Sequence, residues 1–292
     1  MWEEANKKAI ELFQEGKLEE ALLTAKEALE EAEESFDATD PRIARSLNNL
    51  AEIYRAQGKH QEAEPLWQRA LEIRRKTFGP SHPGVAMSLN NLAGAWFEQG
   101  KYAEAEKALS QAVNILTKAE GESGMDVAAA YNNLASVQRV REKYPAAKFN
   151  YDKAIEILEK NVGPDHPEVG SVLNDLAGMF CTQQRFKEAE ELYRRTCTIA
   201  EKTFGPKHAH VAASLHNLGY TLAMLGRLEE AESLILEAQD ILEKTYGPYN
   251  LDLAMSLDNL ADLYDASEQS EKASQARERA RDIRAKCAGG AL

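Results

Sequence analysis

Side chains with amide chemistry recur at one spacing along this 292-residue chain. Asn48-Asn49, Asn90-Asn91 and Asn132-Asn133 stand 42 residues apart, and the series continues as Asn174-Asp175, His216-Asn217 and Asp258-Asn259. A primary amide offers a donor and an acceptor together, which is what the backbone of an extended peptide presents in return. Repeated at one spot in every 42 residues, these amides could hold a peptide whatever its sequence. They could equally bond a neighbouring helix and set how the repeats stack. Other chemistry is sparse. His82, His166 and His208 lie in Gly-Pro-x-His segments and read as local capping groups. His208, His210 and His216 match no zinc spacing. Cys181, Cys197 and Cys287 form no disulfide or metal framework. No nucleophile motif, phosphate loop or paired-carboxylate site is visible, so the chain reads as non-catalytic, with no cofactor and no metal.

The amides need a scaffold, and the period describes it. The stretch Ser46-Leu47-Asn48-Asn49-Leu50-Ala51 returns with starts at 88, 130, 172, 214 and 256. One further step back lands on Glu4, with Ala5, Leu12, Gly16 and Ala21 still in register. A fixed period of this size marks a stacked array of supersecondary units. Seven repeats result, at approximately 1–40, 41–82, 83–124, 125–166, 167–208, 209–250 and 251–292, forming one domain. Each repeat reads as two helices. In the second, Ile43, Leu47, Leu50, Ala51 and Tyr54 share one face of a helix over 41–57. Ala63, Leu66, Trp67, Ala70, Leu71 and Ile73 share a face over 60–76, with Pro65 expected in about the first turn.

Glycine at Gly16, Gly58, Gly100 and Gly226 ends the first helix of its repeat, and Gly79-Pro80 ends the second. Pro83 presets the helix that follows. The joint over 119–125 has Gly121 and Gly124 but no proline, and should be the loosest. Alanine occupies the position of Ala63 in every repeat, and the position of Ala51 in all but one, where Gly219 stands. These columns set how closely paired helices approach. The last repeat carries Arg277, Arg279, Arg281 and Arg284, as an end cap with nothing packed on it requires.

The net charge of −13 argues against binding a phosphate backbone, so no nucleic acid is expected. It reads as a solubility device of Glu-rich helix faces. No apolar run is long enough to span a membrane, and no membrane partner is expected. Trp2 already lies inside the first expected helix, leaving no room for a secretory signal, and the expected location is cytoplasmic, or periplasmic or secreted where a signal segment has been removed.

Leu47, Leu50, Ala51, Tyr54, Ala63, Trp67 and Ala70, together with Leu-Asn-Asn-Leu-Ala, Gly-Lys-Tyr-x-Glu-Ala-Glu, Ala-Leu-Glu-Ile and Phe-Gly-Pro-x-His-Pro, resemble the tetratricopeptide repeat (TPR) family. The longer period resembles the repeats of kinesin light chain, although the heptad coiled coil of that protein is absent. The resemblance covers essentially the whole chain. It implies an all-α fold, an α-solenoid of seven helix-turn-helix repeats forming a right-handed superhelix, whose first helices line a concave groove. In such proteins the groove holds an extended peptide or a partner helix.

The implied groove residues are the amides Asn48, Asn49, Asn90, Asn91, Asn132, Asn133, Asn174, Asn217 and Asn259, the cations Arg45, Arg55 and Arg139, and the apolar Phe97 and Tyr220, with Met87 and Met224 beside them. The second asparagine of each pair matches the asparagine of the carboxylate clamp in chaperone-binding members. Met87 and Asn91 stand where that clamp needs further basic residues. With Glu52 counted against them, Arg45 and Arg55 would draw acidic ligand residues towards the amino-terminal half, and Asp258, Asp262 and Asp265 basic ones towards the other. The expected function is a non-catalytic protein–protein interaction scaffold with a protein or peptide partner. The alternatives are a self-associating structural module, or a regulatory domain of a larger signalling protein or enzyme.

Overall fold

The structure is a computed structural model and describes residues 2–289. Among these residues it has fourteen α-helices and no strand. They gather into two compact units divided between Ile157 and Leu158, inside one helix. The first unit holds α1 (Trp2–Gln14), α2 (Leu18–Ser35), α3 (Pro41–Ala56), α4 (His60–Phe78), α5 (Pro83–Glu98), α6 (Tyr102–Glu120), α7 (Met125–Val140) and the start of α8 (Tyr144–Val162). The second continues with α9 (Pro167–Thr182), α10 (Phe186–Phe204), α11 (Ala209–Met224), α12 (Leu228–Tyr246), α13 (Leu251–Ala266) and α14 (Ser270–Gly289). The fold class is therefore all-α, built of helix-turn-helix repeats.

The period works through burial. Ala21, Ala63, Ala105, Ala147, Ala189 and Ala231 are fully buried, as are Ala9, Ala51, Ala135, Ala177 and Ala261. Trp67, Tyr151, Tyr193 and Ile235 fill the gap one turn after the second-helix alanine. Gly219 is the exception to its alanine column because Ile235 has taken the room. A Cβ at Gly219 would lie 2.8 Å from Ile235 Cγ1 and 3.3 Å from the Ala231 carbonyl oxygen. Close packing of this kind leaves no slack for an added methyl group.

The ends of the helices follow their residue types. His82, His166 and His208 are the N-caps of α5, α9 and α11, each accepting through Nδ1 from the backbone N–H two residues on. Asp40 does the same for α3, accepting from the Arg42 amide, and hydrogen bonds from the Arg42 guanidinium, with that amide bond second, lower the Asp40 carboxyl to about 2. Gly124 caps α7 with no side-chain bond, so the joint before it lacks the device its counterparts share. Pro65 departs from expectation. It is the sixth residue of α4, in the second turn, where it removes an intrahelical donor.

Ion pairs spaced 37 residues apart tie successive repeats together within each unit. Lys101 Nζ lies 2.8 Å from Glu64, Lys143 Nζ 2.9 Å from Glu106, and Arg227 Nη1 2.6 Å from Glu190. Burial pushes the Glu64 carboxyl up, but hydrogen bonds from Lys101 and the Trp96 indole outweigh it and leave the group below its usual range. First helices also touch directly, α1 with α3 and α5 with α7 in the first unit, and α11 with α13 in the second. That contact brings the amide pairs of neighbouring repeats side by side.

Candidate functional site

Side by side, the amides bond one another. Asn49 Nδ2 donates to Asn6 Oδ1 at 2.9 Å, Asn133 to Asn90 at 2.7 Å, and Asn217 to Asn174 at 2.9 Å. Asn259 Nδ2 lies 2.6 Å from His216 Nε2 in the same relation. Every rung joins the second residue of one pair to the first residue of the pair before it, 43 positions back. The 42-residue register puts Asn6 in the first-asparagine column, although its partner Lys7 breaks the pair. Asn6 is almost fully buried and also donates to Ser46, which accepts from the Trp2 indole.

No donor reaches the Oδ1 of Asn132, whose counterpart is Asp175, nor that of Asn48. Asn48 Oδ1 is buried with no hydrogen-bond partner, so the bond from Asn91 is not made. Asn91 instead lines a cleft of about 420 Å³ centred on α5, between α3 and α7. Asn90, Asn133, Arg55 and Phe97 line it too, so five of the candidate residues come together there. The remaining walls include Glu52, Gly94, Glu98 and Ser136. Gly94 opens the floor, since a Cβ there would meet nothing within 4 Å. Phe97 is held edge-on against Tyr102, with ring centroids 5.3 Å apart.

The charges of this cleft are not free in the way the sequence suggested. Arg55 is hydrogen-bonded to Glu52 and, at 3.1 Å, to Glu98. The Glu52 bond raises the guanidinium pKa further and keeps it charged. Two carboxylates thus surround one cation, and the surplus charge is negative. At the other end of the chain the acidic residues are also satisfied. Asp262 and Asp265 pair with Arg277 at 2.7 and 2.6 Å, and Asp258 pairs with Arg284. The attraction of acidic ligand groups to Arg55 and of basic ones to α13 therefore loses its basis, because Arg55 is already paired on its own helix and on α5, and the aspartates with α14.

The other candidate residues lie apart from this cleft. Arg45 is exposed, with its guanidinium 5.9 Å from the Trp2 ring. Asn132 Oδ1 and Arg139 Nε are buried without hydrogen-bond partners. Met87, Tyr220 and Met224 are exposed and line none of the clefts described. In the second unit Asn174 and Asn217 line a cleft of about 460 Å³ between α9 and α11, with His210 and Phe204 at its edge. His210, His216 and Asn217 line another of about 350 Å³ between α11 and α13, with Tyr246, Asp252 and Met255.

Among the described residues no group of three or more His, Cys, Asp or Glu side chains could hold a metal ion. His208 instead stacks on Phe204 at a centroid distance of 4.9 Å, and His210 lies tilted against the same ring at 4.7 Å. Burial pushes the Cys197 thiol up to about 12 and the Cys181 thiol above its usual value. Protonated thiols of this kind are poor nucleophiles. Also among the described residues, no helix is long and apolar enough to cross a membrane.

Paired helices of fixed length, alanine columns at their contact and a first-helix face rich in amides define a helical-repeat interaction protein. The sequence pattern of the tetratricopeptide repeat matches residues 5–66, 42–118, 126–202, 181–238 and 210–286, and the chain belongs to that family. A solved structure of kinesin-light-chain TPR-like repeats from Podosopora anserina is 28% identical, covering 71% of this chain and 98% of that one with a TM-score of 0.64. BtubC (BKLC) from P. vanneervenii is 22% identical over 93% of this chain and 92% of its own, with a TM-score of 0.58. A Rap protein complexed with competence and sporulation factor shares the fold at 20% identity, covering 98% of this chain and 75% of that one, with a TM-score of 0.63. No curated protein sequence matches the chain.

Proposed function

We propose that this protein is a non-catalytic scaffold that binds an extended peptide segment of a partner protein in the cleft centred on α5. The observation that carries this reading is the open rung between Asn91 and Asn48. Where neighbouring amides bond one another, part of their capacity is used, whereas the Asn91 amide is left to the cleft beside Asn90 and Asn133. A peptide laid there offers a carbonyl and an N–H to each amide it passes. The fold it shares with a Rap protein complexed with competence and sporulation factor supports the reading by analogy of architecture.

The test is selection of peptides from a random-peptide display library on the immobilised chain, followed by calorimetry with the best binder. Replacing Asn91 by alanine should weaken that peptide by ~0.5–1.5 kcal/mol, the net worth of a hydrogen bond, while leaving the urea midpoint unchanged. No selectable peptide, or a peptide indifferent to Asn91→Ala and to every other cleft substitution, would overturn the reading.

A further inference from the structure

Gly94 occupies the interior of α5, where glycine destabilises a helix relative to alanine. At Gly219 and Gly170 packing accounts for such a residue, whereas a Cβ at Gly178, in the column of Gly94, would meet only the Tyr193 hydroxyl at 3.7 Å. A Cβ at Gly219 would strike Ile235, and one at Gly170 would lie 3.2 Å from Ile199 Cγ2. At Gly94 it would meet nothing within 4 Å, so nothing packed in the folded chain requires a glycine there. The corresponding positions of the flanking repeats are Glu52 and Ser136, and both line the same cleft. What the glycine provides is a bare stretch of helix backbone at the cleft floor, beside the Phe97 ring.

We infer that this floor is the seat of a planar ring side chain, and that the ligand carries a lysine or arginine next to it. The ring would lie on the backbone at Gly94 and meet Phe97, an arrangement aromatic pairs favour when offset or edge-on. The basic residue follows from the charges. Glu52 and Glu98 face a single guanidinium, Arg55, while His60 Nδ1 stands 2.9 Å from the second Glu98 oxygen. With two carboxylates facing one guanidinium, an incoming cation gains from the surplus carboxylate, and an incoming carboxylate meets two of its own kind. The net charge of −13 favours a basic segment in the same direction. This inference rests on the peptide-binding reading above and adds the chemistry of the ligand.

The experiment repeats the random-peptide selection on the wild-type chain and on the Gly94→Leu and Glu98→Gln variants. Leucine is a good helix former and its Cβ has room, so Gly94→Leu should fold and melt no lower than wild type. Wild type should enrich peptides with Trp, Tyr or Phe within two positions of Lys or Arg. Gly94→Leu should lose the ring preference and bind the wild-type peptide roughly tenfold or more weakly, and Glu98→Gln should lose the preference for a basic neighbour. Peptides enriched without the ring-and-base pair, or an enrichment that Gly94→Leu leaves intact, would overturn the inference while sparing the binding function. Failure to enrich any peptide on wild type would overturn both.

Discussion

Asn133 Nδ2 donates to Asn90 Oδ1 at 2.7 Å across 43 residues of sequence, linking α7 to α5. The same relation joins Asn49 to Asn6 and Asn217 to Asn174, so the amide columns have a stacking role wherever the rung closes. Asn133→Ala should therefore lower stability by ~0.5–1.5 kcal/mol, because the half-buried Asn90 amide loses its partner. Asn91→Ala should leave stability unchanged, since its rung is not made. Urea midpoints of the two single variants make the comparison. Equal losses would mean that rung closure has no bearing on stability.

Three of the seven short turns carry a non-glycine residue in the left-handed region. Glu142, Gln184 and Glu268 have φ near 59°, 58° and 59°, where Gly16, Gly58, Gly100 and Gly226 lie between 73° and 79°. A side chain there costs ~1–2 kcal/mol, and glycine returns part of that as unfolded-state entropy. Each of Glu142→Gly, Gln184→Gly and Glu268→Gly should thus stabilise the chain by roughly 0.5–1 kcal/mol. Thermal melts of the single variants check this. A lowered melting temperature in all three would show that the side chains, and not the backbone, govern these turns.

Much of this was legible in the sequence, because a strict period makes every repeat report on the others. Residues 41–57 were expected as a helix and Pro41–Ala56 is one, and the histidines of the Gly-Pro-x-His segments cap helices as their positions suggested. The rungs were legible only as one of two alternatives. Which of two adjacent amides reaches the neighbouring helix depends on the offset between first helices, and a column of residues does not record that offset. Gly94 was passed over for a related reason, since an unneeded glycine looks like any other until the space above it is known. The pairing of Arg55 with Glu98 and the α14 partners of Asp258, Asp262 and Asp265 are hidden because they cross between columns.

His216 replaces an asparagine in the first-residue column, and it alone of that column is an imidazole. Its Nε2 faces the Asn259 amide at 2.6 Å, and its Nδ1 is buried with no partner. Burial lowers its pKa below the ordinary 6.5, so the fold favours the neutral ring. The corresponding stability is complete above about 6.5 and is lost as pH falls from there through the folded value. His208, His210 and Asp252 line the same cleft and are present in both proteins. The difference between wild type and His216→Asn therefore isolates this ring. Wild type should lose stability relative to His216→Asn on acidification from pH ~7 to ~5, and parallel profiles would refute the assignment.

The central claim is the location of the ligand, and photo-crosslinking addresses it directly. The best selected peptide, carrying a photoreactive group in place of its ring side chain, would be irradiated with the wild-type chain and the linked residues mapped by mass spectrometry. Adducts are expected on α5 at Asn91, Gly94 and Phe97, with weaker ones on Arg55 of α3 and Ser136 of α7. Adducts confined to the exposed faces of α4 and α6 would contradict that location.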